Sequence, residues 1–500
     1  MEDKFLKGLD TVSAYKETEN GAFALSTTHK SLLDLFGTIG ALRRRDDSDV
    51  INLFTKAYVE DRLLAMKILF YARDVRGGLG ERRVFRTIAS WLAKNHKEDI
   101  KLNLQYVPEF GRWDDLYVFV GTPIQEEAMK VLKEQFEKDL AGMAEKKEIS
   151  LLAKWLKSVN TSSKESRLLG RLTAKAFGLT EKDYRKKLSD LRKYLFIVEK
   201  TMSKNEWGNI NYNTVPSYAA KNYSAAFMKH DEKRYQAYLD ALTNPEVGSA
   251  KINADTLFPY DLVREYGYDS WCYSDTKKVN VDQRIEAQWK ALPNYVTDGK
   301  KFLVMADTSG SMSGLPMETS VGLAIYFAEH NTGAYHGKFI TFTEKPRFFD
   351  LKDELTLREK INLVLHKDNV GYNTNLEKAF ELVLNSAVQN HCSQEDLPEA
   401  ILVISDMEID RFGSYEENTT FTTEMKQRFA DAGYKMPTLV YWNVNARFDT
   451  FHAEASDDVR FVSGSSAAIF KGLCDHMGST AEELMLATLN VERYSVIKVA

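Results

Sequence analysis

Residues 302–306 (FLVMA) are an uninterrupted apolar run that constrains the fold more than any other stretch of this chain. A run this short is the length of a strand buried on both faces, which a sheet accepts where helices cover it above and below. The run ends on Asp307. A loop of small residues (Thr308, Ser309, Gly310, Ser311) then leads into a segment of helical period from about Leu315 to His330. A carboxylate and two hydroxyls thus stand at alternate positions, D-x-S-x-S, at the carboxyl end of a central strand, where open α/β sheets place their ligand sites. Such hard oxygen donors suit Mg2+ or Mn2+, leaving other coordination positions to water or a partner.

From Lys301 onward, strand and helix patterns alternate. Strand candidates are 302–306, 338–342, 347–351, 400–405, 438–443 and 460–462. Helix candidates are 315–330, 355–365, 375–390, 422–432, 466–474 and 480–489. That alternation predicts a doubly wound α/β domain with helices on both faces. The earlier part of the chain reads differently. Helical period runs through 31–36, 49–72, 84–95, 97–107, 124–143 and 148–155, with only an extended or irregular piece after the turn at Asn20–Gly21. Short helix pairs with little strand signal predict a HEAT-like helical-repeat array, although no strict repeat is visible. Residues 229–295, punctuated by Pro245, Pro259 and Pro293, read as its end and a linker. The expected fold class is therefore multidomain α + α/β, with a helical module at 1–295 and an α/β domain at 296–500.

A chain of 500 residues exceeds one ordinary core, and its 44% hydrophobic and 28% charged content is that of a globular protein. No apolar run has the length of a membrane span, and the charged start MEDKFLKGLD is not a signal peptide. The three cysteines (Cys272, Cys392, Cys474) fit neither a disulfide framework nor a zinc site. A cytoplasmic protein without a membrane partner is expected.

The net charge of −5 hides an asymmetry: residues 301–500 hold 18 Lys and Arg against 29 Asp and Glu, whereas 164–204 alone hold 12 against 5. A cationic patch within an acidic protein points to an anionic partner; a solvated helix face is the plainer alternative. Lys164, Arg167 and Arg171, followed by Arg185, Lys186, Lys187, Arg192 and Lys193, could present their charges to a phosphate backbone. The aromatics nearby, Trp207, Tyr212, Tyr218 and Tyr223, would either stack on bases or fill a core. Upstream, YARDVRGGLGERRVFR (71–86) sets Arg76, Arg82 and Arg83 around Gly77, Gly78 and Gly80. It is neither a P-loop nor a dinucleotide fingerprint, since no strand precedes it and no Gly-Lys-Ser/Thr follows. It is either a tight turn between helices or a perch for an anion.

Two later stretches extend the Asp307 motif. VGYNTNL (370–376) puts Thr374 on a turn before an amphipathic helix, and AILVISD (400–406) is a second buried-type strand ending on Asp406. The set resembles the metal-ion-dependent adhesion site of von Willebrand factor A domains. The resemblance implies one divalent ion (Mg2+, or Mn2+ or Ca2+), with Ser309, Ser311 and Thr374 as ligands and Asp307 and Asp406 binding directly or through water. The alternative is that these side chains only cap the following helices. More broadly, TENGAFALST (18–27), FYARDVRGGLGER (70–82), AKWLKSVNTSSKESR (153–167), ADTSGSM (306–312), GYNTNL (371–376) and VISDMEID (403–410) resemble a domain-of-unknown-function family related to the Ro autoantigen (TROVE) proteins. That resemblance implies an RNA-binding helical ring or solenoid beside a metal-site domain.

The expected function is a non-enzymatic RNA-binding or ribonucleoprotein scaffold with a divalent-ion ligand site. One alternative is an interaction module without nucleic acid, in which a protein partner supplies an Asp or Glu carboxylate to the ion. Another is a metal-dependent hydrolase or nuclease built on Asp406, Glu408 and Asp410.

Overall fold

The computed structural model describes residues 14–195, 197–244, 246–267, 281–296, 299–366, 369–412, 419–455, 458–476 and 478–500; Cys272 lies outside them. The chain divides into two compact units. One comprises the N-terminal residues to Ile68, residues 77–79 and Leu257–Val491; the other comprises Leu69–Arg76, Gly80–Thr256 and Glu492–Ala500.

The first unit carries the sheet. A short antiparallel pair, β1 (Tyr15–Glu17) and β2 (Phe23–Leu25), precedes six strands: β3 (Phe302–Asp307), β4 (Lys338–Phe342), β5 (Arg347–Asp350), β6 (Ala400–Ser405), β7 (Thr438–Asn443) and β8 (Val459–Ser463). Their order is β5-β4-β3-β6-β7-β8. All neighbours are parallel except β4 and β5. Every residue of β3 and β6 is buried, as two-sided cover requires. Chain order runs outward to β4 on one side of β3, while β6 lies on the other. The crevice between the carboxyl ends of β3 and β6 is thus the topological switch point.

The single boundary expected near 295 is not where the contacts divide the chain. The segment expected to begin the helical array instead completes the sheet unit. Leu25 and Phe451 exchange backbone hydrogen bonds of 2.8 and 2.9 Å, and the helix Ser31–Thr38 packs on β8. The following 3-10 turn, Ile39–Arg44, lies so close to the end of β8 that a Cβ on Gly40 would meet the Ser463 carbonyl oxygen at 2.5 Å. The part of the supposed linker from Leu257 onward belongs here too, while residues 229–256 stay with the helices. Helix Pro259–Tyr266 packs on Leu315–His330 through Gly322, and Glu286 accepts from the Leu357 amide at 2.9 Å, capping another helix of the unit. A helix facing a sheet has the same apolar period as one facing another helix, so periodicity could not separate them.

The second unit is helical. Rings of Phe136, Phe177 and Tyr184 tie helix Gln125–Ala144 to helices Lys164–Ala176 and Glu181–Tyr194. Tyr212, Phe227, Tyr235 and Leu239 build a further core, and Trp207 stacks on His230 at 4.5 Å. These aromatics serve packing. The last residues of the chain, expected in the α/β domain, also lie in this unit. Arg493 donates to Asp74 at 2.7 Å, the Tyr494 hydroxyl donates to the same carboxylate at 3.0 Å, and Asn103 brackets Lys498.

An isolated fragment of residues 296–500 should therefore lack a cooperative urea transition, whereas the full chain shows one. In the full chain, Gly40→Ala should lower stability by ~1–3 kcal/mol through overpacking against the Ser463 backbone, measured as a shift in the urea midpoint.

Candidate functional site

The expected ion-site residues, Asp307, Ser309, Ser311, Thr374 and Asp406, meet at the switch point. Asp307 closes β3 and Asp406 follows β6. Thr374 is brought in by a loop tied at three places: Ser309 pairs with Gly371 as an isolated bridge, the Asn375 amide donates to the Thr343 carbonyl at 3.2 Å, and the Asp410 amide donates to the Thr374 carbonyl at 2.9 Å.

These side chains do not cap the helices that follow. Helix Leu315–His330 starts at Gly314 with no side-chain cap, and helix Leu376–Gln389 is capped by Asn375. Instead, the polar groups face one another. The Ser309 amide donates to Asp307 Oδ1 at 2.9 Å, and Ser405 Oγ donates to Asp307 Oδ2 at 2.6 Å. The hydroxyls of Ser309 and Ser311 lie 3.2 Å apart, and Ser311 also bonds to Asp406. Burial first, and then the neighbouring Asp406 charge, push the Asp307 carboxyl up to about 7 against the hydrogen bonds from Ser309 and Ser405. Burial likewise raises Asp406, opposed chiefly by Arg447, whose Nη2 donates to Asp406 Oδ2 at 3.0 Å. Thr374 Oγ1 is buried without a hydrogen-bond partner.

Two buried carboxylates and three hydroxyls, one of them unsatisfied, form an all-oxygen set. Its electrostatic deficit and its orphan acceptor would both be relieved by a hard cation. The residues present fit a divalent ion.

Glu19, Ser405, Met407 and Arg447 shape this site and were not among the sequence candidates, whereas Glu408 was one, in the hydrolase alternative. Glu19, on the turn joining β1 and β2, shares Arg447 with Asp406. Glu408 is fully buried and structural: it accepts from the Glu19 amide at 2.8 Å and the Thr450 hydroxyl at 2.7 Å. Met407 takes a left-handed φ of 68°, a strained conformation for a side chain of its kind. Its carbonyl is held by His452 Nε2 at 2.8 Å. The stretch TENGAF and the serine of the SD pair were the available signals, but neither states a partner. Asp406, Glu408 and Asp410 do not converge as a catalytic trio. Among the described residues, no three His, Cys, Asp or Glu side chains form a metal-binding group.

The expected RNA-binding residues separate into two kinds. Lys164, Arg167, Arg171, Arg185, Lys186, Lys187 and Lys193 are exposed on helices Lys164–Ala176 and Glu181–Tyr194, with Arg171 paired to Glu181 at 3.2 Å. Arg192 is otherwise employed, donating to the Ala153 and Leu156 carbonyls at 2.8 Å each and to Ser158 Oγ at 2.9 Å. Arg82 turns inward to Asp114 at 2.5 Å within a cluster in which Arg73 and Arg86 hold Asp115. Arg76 donates to the Glu109 carbonyl at 3.0 Å, and Arg83 is exposed beside it in sequence. The glycine-rich turn is thus not a cluster of outward-facing arginines. Arg192 is committed to backbone carbonyls and Ser158, while Arg82 pairs with Asp114 and keeps a side chain 41% exposed.

Family models and relatives bear on the same chain. A model described as a domain of unknown function (DUF2828) matches residues 18–138 and 172–301, and another (DUF7788) matches 301–495. "Uncharacterized protein L728" of Acanthamoeba polyphaga mimivirus is 30% identical over 492 residues, covering 91% of this chain and 83% of that protein. The crystal structure of the Deinococcus radiodurans Ro (RSR) protein covers 93% of this chain and 99% of its own at 13% identity and a TM-score of 0.48. No helix among the described residues is long and apolar enough to cross a membrane.

The His452 ring yields a pH dependence. Burial lowers its pKa from 6.5 to about 4, so the fold holds the neutral ring and binds fewer protons than the unfolded chain between these values. Its contribution to stability is complete above about pH 6.5 and falls away toward about pH 4, a loss of about 3 kcal/mol. His452→Gln, which keeps a donor for the Met407 carbonyl, should flatten that part of the stability curve in urea titrations across the same range.

Proposed function

This chain belongs to the DUF2828 family, and we propose that it is a non-enzymatic RNA-binding scaffold whose α/β unit carries a von Willebrand factor A-like divalent-ion site. The observation that carries the RNA reading is the exposed cationic face of helices Lys164–Ala176 and Glu181–Tyr194. Among the described residues, Lys164, Arg167, Arg185, Lys186, Lys187 and Lys193 stand there without a carboxylate partner, in a chain whose net charge is −5. Phosphates are the ligand class such an array attracts, and the displaced counterions make the affinity salt-dependent. The resemblance of the 153–167 and 70–82 stretches to the Ro-related family supports RNA as the source of those phosphates.

At the switch point, Ser309, Ser311 and Thr374 would hold the ion, and Asp307 and Asp406 would bind it directly or through water. When bound, the ion supplies positive charge beside the two buried carboxylates and an open position for a ligand oxygen. The residues do the remaining work. Ser405 and the Ser309 amide orient Asp307, while Arg447 orients Asp406 and already offsets part of its charge. A partner's Asp or Glu is the natural ligand for the open position, and the exposed rim of Tyr372 and Asn373 beside buried Thr374 favours a macromolecular one.

Binding of a single-stranded oligoribonucleotide should weaken with salt, with a log–log slope of about −3 if about four phosphates are contacted. Simultaneous Arg185→Glu, Lys186→Glu and Lys187→Glu should cut affinity by roughly tenfold or more, and Asp307→Asn should leave it unchanged. Affinity that does not respond to salt sinks the RNA reading. For the ion, Mn2+ titration followed by electron paramagnetic resonance should reveal one site that Thr374→Ala weakens and Asp307→Ala removes. Equal Mn2+ binding by all three proteins would rule the site out.

A further inference from the structure

Helix Glu181–Tyr194 brings Lys182, Arg185, Lys186 and Ser189 onto one stripe, because positions separated by three, four and seven residues share a helix face. The stripe forms one wall of a cleft of about 600 Å³. Ser158, Asn160 and Lys200 line the same cleft. A volume of this order suits a nucleotide-sized group.

The walls are fixed by contacts that leave the cations uncommitted. Arg192, one turn beyond Ser189, pins the 153–158 segment through its three hydrogen bonds, and the Tyr184 hydroxyl donates to the Lys157 carbonyl at 2.8 Å. From the other side the segment rests on Gly170, where a Cβ would lie 2.8 Å from the Ser158 carbonyl carbon and oxygen. Lys200 Nζ donates to Ser189 Oγ at 2.9 Å. Lys182, Arg185 and Lys186 have no ion-pair or hydrogen-bond partner among the described residues, and Asp190 is the one acidic residue lining the cleft. Like charges three and four residues apart on a helix repel one another. Here they share the cleft with the Ser158 hydroxyl and the Asn160 amide, groups that complement the oxygens of an anion once the cations have drawn it in.

We propose that this cleft seats one phosphate of an RNA strand, held by Lys182, Arg185 and Lys186, and so fixes where the strand lies on the cationic face. The inference rests on the RNA reading above and deepens it. Lys164, Arg167, Lys187 and Lys193 then supply general attraction, whereas the cleft supplies position. Arg192 is a positioning residue, acting through the wall it holds.

The test uses the full chain and a 3′-fluorescein single-stranded oligoribonucleotide of about twelve nucleotides, carrying either a 5′-phosphate or a 5′-hydroxyl, read by anisotropy. Two variants remove equal charge from exposed positions: Lys182→Ala/Arg185→Ala/Lys186→Ala in the cleft, and Lys164→Ala/Lys187→Ala/Lys193→Ala outside it. The cleft variant should lose roughly tenfold or more in affinity and the outer variant roughly threefold or less, both at one fixed salt concentration. A 5′-phosphate preference that vanishes in the cleft variant identifies a terminal phosphate. Equal binding of both oligonucleotides, lost in the cleft variant, identifies an internal one. Equal losses in the two variants overturn the cleft while leaving the RNA reading standing. No binding by the unaltered chain overturns both.

Discussion

The buried carboxylate of Glu408 is the joint on which the sheet unit depends. Its two oxygens accept from the Glu19 amide and the Thr450 hydroxyl, its carbonyl accepts from the Asn20 side chain, and the next carbonyl, of Ile409, accepts from Thr18. Thr450 in turn accepts from Lys16. A carboxylate removed from water is costly unless it is hydrogen-bonded, and here the start of the chain and Thr450 each bond one oxygen. The β1–β2 turn is therefore part of the rim of the switch-point crevice, tied to the loop after β6.

From that joint the chemistry of the crevice follows. With the loop fixed, Asp406 and Asp307 are held buried as neighbours at the ends of adjacent strands, and Arg447 reaches only one of them. The arrangement has a deficit of positive charge and a buried hydroxyl, on Thr374, with nothing to bond. In the reading proposed above, a bound cation would relieve both.

In the helical unit the same rule, that buried polar groups must be matched, sorts the arginines. Arg73, Arg82, Arg86 and Arg192 are drawn inward by Asp114, Asp115 and the carbonyls of the 153–156 segment. Lys182, Arg185 and Lys186 remain outside that demand. In sequence, Arg185 and Arg192 stand two turns apart on the same helix, each in a basic run. Only the neighbour across the helix distinguishes a cation that braces the fold from one left for a ligand.

The strands from β3 to β8, the helices between them, and the placing of Asp307 and Asp406 at strand ends were all legible from local pattern. Period and turn chemistry are properties of a few consecutive residues, and a strand buried on both faces leaves an apolar run that little else produces. The tertiary structure alone decided which partner each amphipathic helix covers, that the first segment and the residues from Leu257 complete the sheet unit, and that the final residues join the helices. It also decided that Glu408 is structural and Arg192 is committed. Those outcomes depend on contacts between residues up to some four hundred positions apart, such as Glu19 with Glu408 and Gly40 with Ser463. An apolar stripe or a charged side chain states that it needs a partner, but sequence spacing does not say which.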